Sequence, residues 1–278
     1  MVAVSIVVHN APESQLRSVL KCVFNCRIDR AFVIDNGDVH NLKKICNEYP
    51  RVEYMHVENH GYGAAHNIAL RKSIVDGIKY HLVMNPDVVW SGDIITPIID
   101  FMDKHPNVGL LSPQVFYPDG ALQYSCRRLP SPVDVFSKRF VPSFLTNRLM
   151  SRYLLEKIDH NKIINCPYLL GSFLFFRIDA LKDVGLFDER FFMYPEDIDI
   201  TRRIHRSWET VYWPKVSIIH DHNAESRRNL KMLFIHIKNM IKYFNKWGWF
   251  FDRERKEFND RMTKSLHYLP SGSISGRG

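Results

Sequence analysis

The chain has 278 residues, of which 45% are hydrophobic and 24% charged, the proportions of a soluble globular protein, and this excludes disordered, collagen-like and coiled-coil chains. The net charge of +8 is concentrated, with 8 basic and 3 acidic side chains in residues 121–165 and 12 and 4 in residues 226–278, while the remaining stretches are net acidic. Two basic elements on a near-neutral body point to phosphate groups or an anionic membrane surface and argue against a nucleic-acid binder.

Met1 to Val8 lack a basic leader region and run into His9-Asn10, so they read as a strand and not as a signal peptide. No apolar run reaches the ~20 residues of a bilayer span. Short apolar runs at Val2–Val8, Ala31–Ile34, Val52–Val57, His81–Met84 and Val108–Leu111 alternate with helix-like segments at Glu13–Cys26, Asn41–Glu48, Ala64–Val75 and Asp93–His105. Such alternation predicts a mainly parallel sheet covered by helices on both faces. Beyond Leu111 come a hairpin around Pro118-Asp119-Gly120, a basic insertion over 127–165 with a helix near Asn147–Ile158, and a buried strand over Leu169–Phe176 with a break at Gly171-Ser172. Val211–Trp213 and Val216–Ile219 read as two short strands. Leu230, Leu233, Phe234, Ile237, Ile241 and Phe244 recur at helical spacing. The expected organisation is a catalytic domain over 1–225, a basic, aromatic helical segment over 226–268, and a disordered tail or expression remnant over 269–278.

The residues at the strand ends are more informative than the strands themselves. The first strand ends in His9-Asn10, the second in Asp35-Asn36-Gly37-Asp38, the third in Asn59-His60-Gly61-Tyr62-Gly63 and the fourth in Asn85-Pro86-Asp87. Parallel strands bring their carboxyl ends to one edge, where open α/β sheets bind ligands. A plain turn needs glycine or asparagine but not an aspartate in two separate clusters, so these ends are read as one crevice. The glycine loop fails the dinucleotide fingerprint at His66, and no Walker A sequence is present. It is either a phosphate-approaching loop or a simple helix start. Asp87 supplies one carboxylate, sufficient with substrate phosphates to hold Mg2+ or Mn2+.

Tyr194-Pro195-Glu196-Asp197-Ile198-Asp199 precedes Arg202-Arg203. Proline at a helix start with acids in the first turn complements the helix dipole, and Asp199 can pair with Arg203. Glu196 and Asp197 are then left at a helix N-terminus that favours the anion, the form a general base requires. His220 and His222 would share one strand face, favouring a metal or phosphate role. The five cysteines form no C-x-x-C pair, which argues against a disulfide framework or structural zinc and for a reducing compartment. Cys22 and Cys26 read as small core residues.

Taken together, the motifs resemble the bacterial family 2 glycosyltransferases of the GT-A fold, most closely the rhamnosyltransferase-like branch. The resemblance covers about residues 2–260. It rests on Val4–Asn10, Val33–Gly37, Asn59–Asn67, Asn85–Val88, Gly171-Ser172-Phe173, Phe187–Asp199 and His220. It implies an α/β GT-A fold whose donor nucleotide is bound by His9, Asn10, Asp35, Asn36, Asn59, Gly61, Gly63, Asn67 and Asn85. Asp87 and His220 would hold the divalent cation, Gly171 and Ser172 would line the acceptor side, and Asp197, with Glu196 as competitor, would be the catalytic base. The family's D-x-D motif is Asn85-Pro86-Asp87 here, so one acid is missing, and Asp221-His222-Asn223-Ala224 stands where many relatives have a glycine pair.

The implied reaction is inverting transfer of a sugar, rhamnose among the candidates, from a dTDP- or UDP-linked donor to a lipid-diphosphate-linked saccharide. The implied setting is bacterial O-antigen, capsule or cell-wall synthesis on the cytoplasmic face of the plasma membrane. Lys246-Trp247-Gly248-Trp249-Phe250-Phe251, flanked by Lys242, Arg253, Arg255 and Lys256, is either an interfacial anchor or a packed helix with a solvated basic face. A non-catalytic nucleotide-sugar-binding partner of a polysaccharide synthase is the alternative. It predicts donor binding without turnover, and an intact Glu196-Asp197 pair argues against it.

Overall fold

β1 (Val2–Val8) is buried along its whole length, and strand alternation sorts its side chains into two cores. Val2, Val4, Ile6 and Val8 join one cluster, and Ala3 and Val7 join another on the opposite face. A computed structural model describes residues 1–37, 42–140, 143–221 and 230–267. The expectations for Asp38, His222 and the tail from 268 lie outside the described residues.

After β1 the chain runs through α1 (Glu13–Phe24), β2 (Arg30–Asp35), α2 (Leu42–Cys46), β3 (Val52–His56), α3 (Tyr62–Val75), β4 (Tyr80–Met84), β5 (Val88–Val89), α4 (Ile95–Lys104) and β6 (Val108–Phe116). It continues with β7 (Leu122–Gln123), β8 (Cys126–Arg127), α5 (Pro132–Phe140), α6 (Ser143–Tyr153), β9 (Ile164–Asn165), β10 (Tyr168–Leu169), β11 (Phe173–Arg177) and α7 (Ile178–Val184). Last come α8 (Glu196–Ile204), β12 (Glu209–His220), α9 (Leu230–Trp247) and α10 (Arg253–His267). The main sheet has the order β3-β2-β1-β4-β11-β6-β12-β5. Pairing is parallel from β3 to β4 and between β6 and β12, while β11 runs antiparallel between β4 and β6. The mixed α/β architecture with a mostly parallel sheet is the one the strand–helix alternation predicts.

The differences are local. The two strands expected at 211–219 are one, β12, which shifts register against β6 between Trp213 and Ser217, where Pro214 has no N–H to offer the ladder. The helix expected near Asn147–Ile158 is shifted to α6, and α5 precedes it; Asp134 caps α5 by accepting from the Ser131 N–H and hydroxyl.

α9 and α10 are integral to the packing around the site. Met240, Tyr243, Phe244 and Phe258 form one core with Leu129, Tyr168, Phe191 and Ile198. Asn259 exchanges two hydrogen bonds with the Leu129 backbone. Arg202, almost wholly buried, reaches Asp252 at 2.6 Å and Glu254 at 2.7 Å. Trp247 lies beneath the Arg202 guanidinium, 4.1 Å from its centroid. Lys246, Trp247 and Arg255, candidate membrane contacts by composition, are therefore occupied inside the fold, with Arg255 buried against the Trp249 carbonyl.

Candidate active site

Register delivers the strand ends to one edge. Val8 lies opposite Asp35, Asp35 opposite His56, and Ile6 opposite Met84, so the turns after β1, β2, β3 and β4 start at neighbouring heights. His9 Nδ1 lies 3.1 Å from the Asn36 carbonyl. Asn10 takes a left-handed φ of 52°, a conformation asparagine tolerates, and packs so closely on Gly37 that a Cβ there would meet its backbone N at 2.6 Å. Asp35 is fully buried, accepting from the Gly37 N–H at 3.0 Å and the Tyr54 hydroxyl at 2.7 Å. These internal bonds fix the turn after β2.

Asn59 Oδ1 accepts from Asn36 Nδ2 at 3.2 Å and from the Gly61 N–H at 3.1 Å. Gly61 has φ +102°, and a Cβ on it would sit 2.2 Å from the Phe192 carbonyl oxygen; only glycine fits there. The loop is thereby docked onto the segment that leads into α8, with the Tyr62 N–H donating to the Phe192 carbonyl at 3.0 Å. A Cβ on Gly63 would likewise strike Phe187.

Asn67 needs correction. It is buried, its amide donates to the Phe187 carbonyl and to Glu189, and its oxygen accepts from the Phe187 N–H. All its capacity is spent clamping the 187–189 loop, so it supports the site and does not face a nucleotide.

The structure brings Asp87 and His220 together. His220 Nε2 lies 3.3 Å from Asp87 Oδ1, because the end of β12 pairs with β5, setting His220 opposite Val88. His220 Nδ1 lies 2.7 Å from Gln123 Oε1, an acceptor, so Nδ1 carries the proton and Nε2 presents its lone pair. Asn85 Nδ2 reaches the same nitrogen at 3.3 Å. Asp87 Oδ1 is buried without a hydrogen-bond partner. Asp87 and His220 are thus two adjacent potential ligands, which fit a divalent ion only when substrate phosphates complete its coordination. Gln123, invisible as a site residue in the sequence, orients the imidazole from β7.

A second group of contacts is built around Asp197. Its Oδ2 accepts from the Gly171 N–H at 2.9 Å and the Tyr168 hydroxyl at 3.3 Å, and its Oδ1 from the Ile198 N–H at 2.7 Å. A Cβ on Gly171 would meet Oδ2 at 3.2 Å. The Gly171 carbonyl accepts from the Tyr62 hydroxyl, and the Ser172 carbonyl accepts from the Asn85 N–H, tying this group to the side that carries Asp87 and His220. The Ser172 hydroxyl is buried and without a hydrogen-bond partner.

Here the simple helix-terminus expectation gives way. Burial pushes the Asp197 carboxyl up to about 6, against the lowering influence of the Gly171 and Ile198 N–H groups and the Arg127 charge. Glu196, also buried, is pushed well above the ordinary glutamate range by desolvation and then by the negative charge of Asp197. The helix N-terminus does not keep both ionised, because two carboxylates share one desolvated turn. At neutral pH Asp197 is the anion and Glu196 the poorer candidate base. Asp199 pairs with Arg203 at 2.9 Å, as its spacing predicts, and also with Lys246 at 2.6 Å.

Residues 3–185 match the family described as Glycosyl transferase family 2. An N-acetylglucosaminyl-diphospho-decaprenol L-rhamnosyltransferase of Mycobacterium tuberculosis is 31% identical over 69% of this chain and 66% of its own length. The chain thus spans just under two thirds of that relative. Rhamnosyltransferase WbbL of Escherichia coli is 26% identical over 86% of this chain and 90% of its own. GalNAc-T7, crystallised with UDP, GalNAc and Mn2+, superposes with a TM-score of 0.65 at 16% identity, over 99% of this chain and 53% of that one. A Pyrobaculum calidifontis mannosyltransferase in complex with GDP-Man and Mn2+ superposes at 0.57 and 13% identity, covering 98% and 76%. At such identities these structures speak for the GT-A fold alone.

Proposed function

Because this chain belongs to glycosyl transferase family 2, we propose that it is an inverting glycosyltransferase that moves a sugar from a nucleotide diphosphate donor to a lipid-diphosphate-linked saccharide. The observation that carries the reading is Asp197, a buried carboxylate fixed by two backbone N–H groups and a phenol, joined to the Asp87–His220 pair through the Gly171-Ser172 segment, whose Ser172 carbonyl accepts from the Asn85 N–H. Asp197 accepts the proton of an acceptor hydroxyl. That oxygen attacks the anomeric carbon from the face opposite the diphosphate, the new glycosidic bond forms, and the bond to the diphosphate oxygen breaks. Asp87 and His220 would hold a divalent cation, Mg2+ or Mn2+, which offsets the charge growing on the leaving diphosphate. His9, Asn10, Asn36, Asn59 and Asn85 surround the donor.

Rhamnose as the transferred sugar, dTDP or UDP as its carrier, and a role in surface polysaccharide synthesis are supported by the rhamnosyltransferase relatives. No described helix is long and apolar enough to cross a membrane. Peripheral attachment at the cytoplasmic leaflet is supported by the outer face of α9 and the turn after it. Leu230, Phe234, Lys231 and Lys238 are exposed on the helix, and Phe250 at 71% and Phe251 at 99% in the turn that follows it. The test is a panel of dTDP- and UDP-sugars with Mg2+ or Mn2+ and a diphosphate-linked saccharide acceptor. The reading expects one donor to be consumed with a new glycosidic product; donor binding without turnover on any acceptor would favour the non-catalytic partner instead.

A further inference from the structure

Tyr194, just upstream of Asp197, has a φ of 91°. Two other described non-glycine residues have positive φ, Asn10 at 52° and Leu155 at 58°, and both lie in the small left-handed well that side chains can enter. Tyr194 lies outside that well and precedes Pro195, whose ring restricts it further. A strained backbone of this kind persists only where its surroundings hold it. Here the hold comes from one side of α9. The His236 ring packs on the Tyr194 ring with centroids 4.8 Å apart, and Asn239 Nδ2 donates to the Met193 carbonyl at 3.0 Å. Lys242 Nζ donates to the Arg190 carbonyl at 2.6 Å, and Lys246 Nζ reaches Asp188 at 2.8 Å and Asp199 at 2.6 Å. Positions 236, 239, 242 and 246 recur at the spacing of one helix face. That face grips the chain on both sides of the turn that carries Glu196 and Asp197.

The Asn239 contact acts on the strained residue itself. The Met193 carbonyl belongs to the planar peptide unit that joins Met193 to Tyr194, so holding it fixes the rotation on which the φ of Tyr194 depends. Asn239 is 2% exposed, whereas His236 and Lys242 are half-buried, and a bond shielded from water is costly to lose. The preceding peptide is held from another direction, its Phe192 carbonyl accepting from the Tyr62 N–H. Asp197 depends on where this turn lies, because two of its donors, the Gly171 N–H and the Tyr168 hydroxyl, come from a separate segment. We propose that Asn239 is a positioning residue for the base: by holding the Met193 carbonyl it keeps Tyr194 left-handed and so sets Asp197 against Gly171 and Tyr168. This rests on Asp197 being the base, as proposed above. It gives α9, which lies beyond the residues 3–185 that match the family, a part in the chemistry.

Turnover of the full chain is measured with dTDP-rhamnose, Mn2+ and N-acetylglucosaminyl diphosphate bearing a short prenyl chain. Asn239→Leu, similar in shape but without the donor, should lower kcat by roughly tenfold to a hundredfold, the scale of a misplaced reacting group. The acceptor KM and the calorimetric affinity for UDP should stay near wild type. Tyr194→Gly and Tyr194→Ala both lose the ring, but only glycine is at home at this φ, so the glycine variant should be the more stable and the faster. With glycine there, nothing drives the turn to relax, and adding Asn239→Leu should cost far less than it does in the wild type. An unchanged kcat in Asn239→Leu overturns the proposal, as does an equal loss in both backgrounds or a loss of UDP affinity, which would place the effect on the glycine loop. If Asn239→Leu does not fold, Tyr194→Ala equal to Tyr194→Gly in stability and rate overturns it. Asp197→Asn inactive beside an unaffected Asn239→Leu sinks the positioning alone; Asp197→Asn fully active sinks the base and the positioning together. Should the wild type transfer nothing, the substrate reading fails, and carbon NMR of the aspartate carboxyls, with Asp197→Asn identifying the signal, still decides the positioning. The Asp197 midpoint of about 6 should rise in Asn239→Leu as the Gly171 and Tyr168 donors draw away, with Glu196 and Arg127 its charged neighbours in both proteins; an unmoved midpoint overturns it.

Discussion

Two carboxylates in the first turn of α8 are treated in opposite ways. Asp199 is fully buried and neutralised by Arg203 and Lys246, with the Trp247 N–H at 2.8 Å as a third donor. Asp197, two residues earlier, is also buried, but only uncharged donors touch it, the N–H groups of Gly171 and Ile198 and the Tyr168 hydroxyl. The paired one serves the fold by anchoring the end of α9. The unpaired one keeps a basic lone pair and a raised affinity for protons, which is what proton abstraction requires. Partners, not position in the helix, separate a structural acid from a chemical one.

Exchanging the charges tests the contrast. Asp197→Asn preserves the shape and removes the basicity, so turnover should fall by about 10²–10⁴ while donor affinity by calorimetry stays near wild type. Asp199→Asn should do the reverse. It strands Arg203 and Lys246, and a denaturant titration should show a loss toward the lower end of the ~3–5 kcal/mol expected for breaking a buried pair. If Asp199→Asn were as stable as wild type, the anchoring role would be lost. On the side proposed to hold the cation, Gln123→Leu removes the acceptor that fixes the His220 tautomer. Mn2+ affinity, read by electron paramagnetic resonance in the presence of UDP, should weaken by about 10–100-fold; an unchanged affinity would mean that the imidazole is oriented without it.

A smaller effect concerns Glu196. Its folded pKa lies above the unfolded value of 4.5, so the folded state holds this proton more tightly. The resulting stability is complete below 4.5 and is lost as pH rises through the folded pKa, with a limiting slope of about 1.4 kcal/mol per pH unit. Glu196→Gln should remove that slope, so melting temperatures of variant and wild type should diverge in the variant's favour as pH rises from acid toward neutral and beyond. Parallel curves would show that Glu196 titrates as an ordinary exposed acid.

The parts legible in the sequence were those set by local rules. Asp35, Asp87 and the glycine loop announce themselves as strand-end residues, and parallel pairing does the rest. Asp199 with Arg203 follows from helical spacing. The hidden parts depend on contacts between distant segments. Gln123 and His220 are 97 residues apart, and nothing in a two-residue strand marks Gln123 as an imidazole's partner. Tyr168 reaches Asp197 across 29 residues. Asn67 misleads because its helix-start setting suits a phosphate loop, while its amide is turned onto Phe187 and Glu189. Lys246 and Trp247 have the composition of a membrane anchor, yet Asp199 claims both. The helix dipole alone would leave both Glu196 and Asp197 readily ionised; burial, which sequence does not report, raises both and holds the proton on Glu196.

The central claim is that Asp197 is the base and that its burial sets the pH range of the reaction. The pH dependence of kcat for the wild type, with saturating donor and diphosphate-linked acceptor, tests it most directly. The rate should fall roughly tenfold per unit below an apparent pKa near 6, the value to which burial pushes this carboxyl. A rate that stayed flat down to the ordinary carboxylate range would contradict the account.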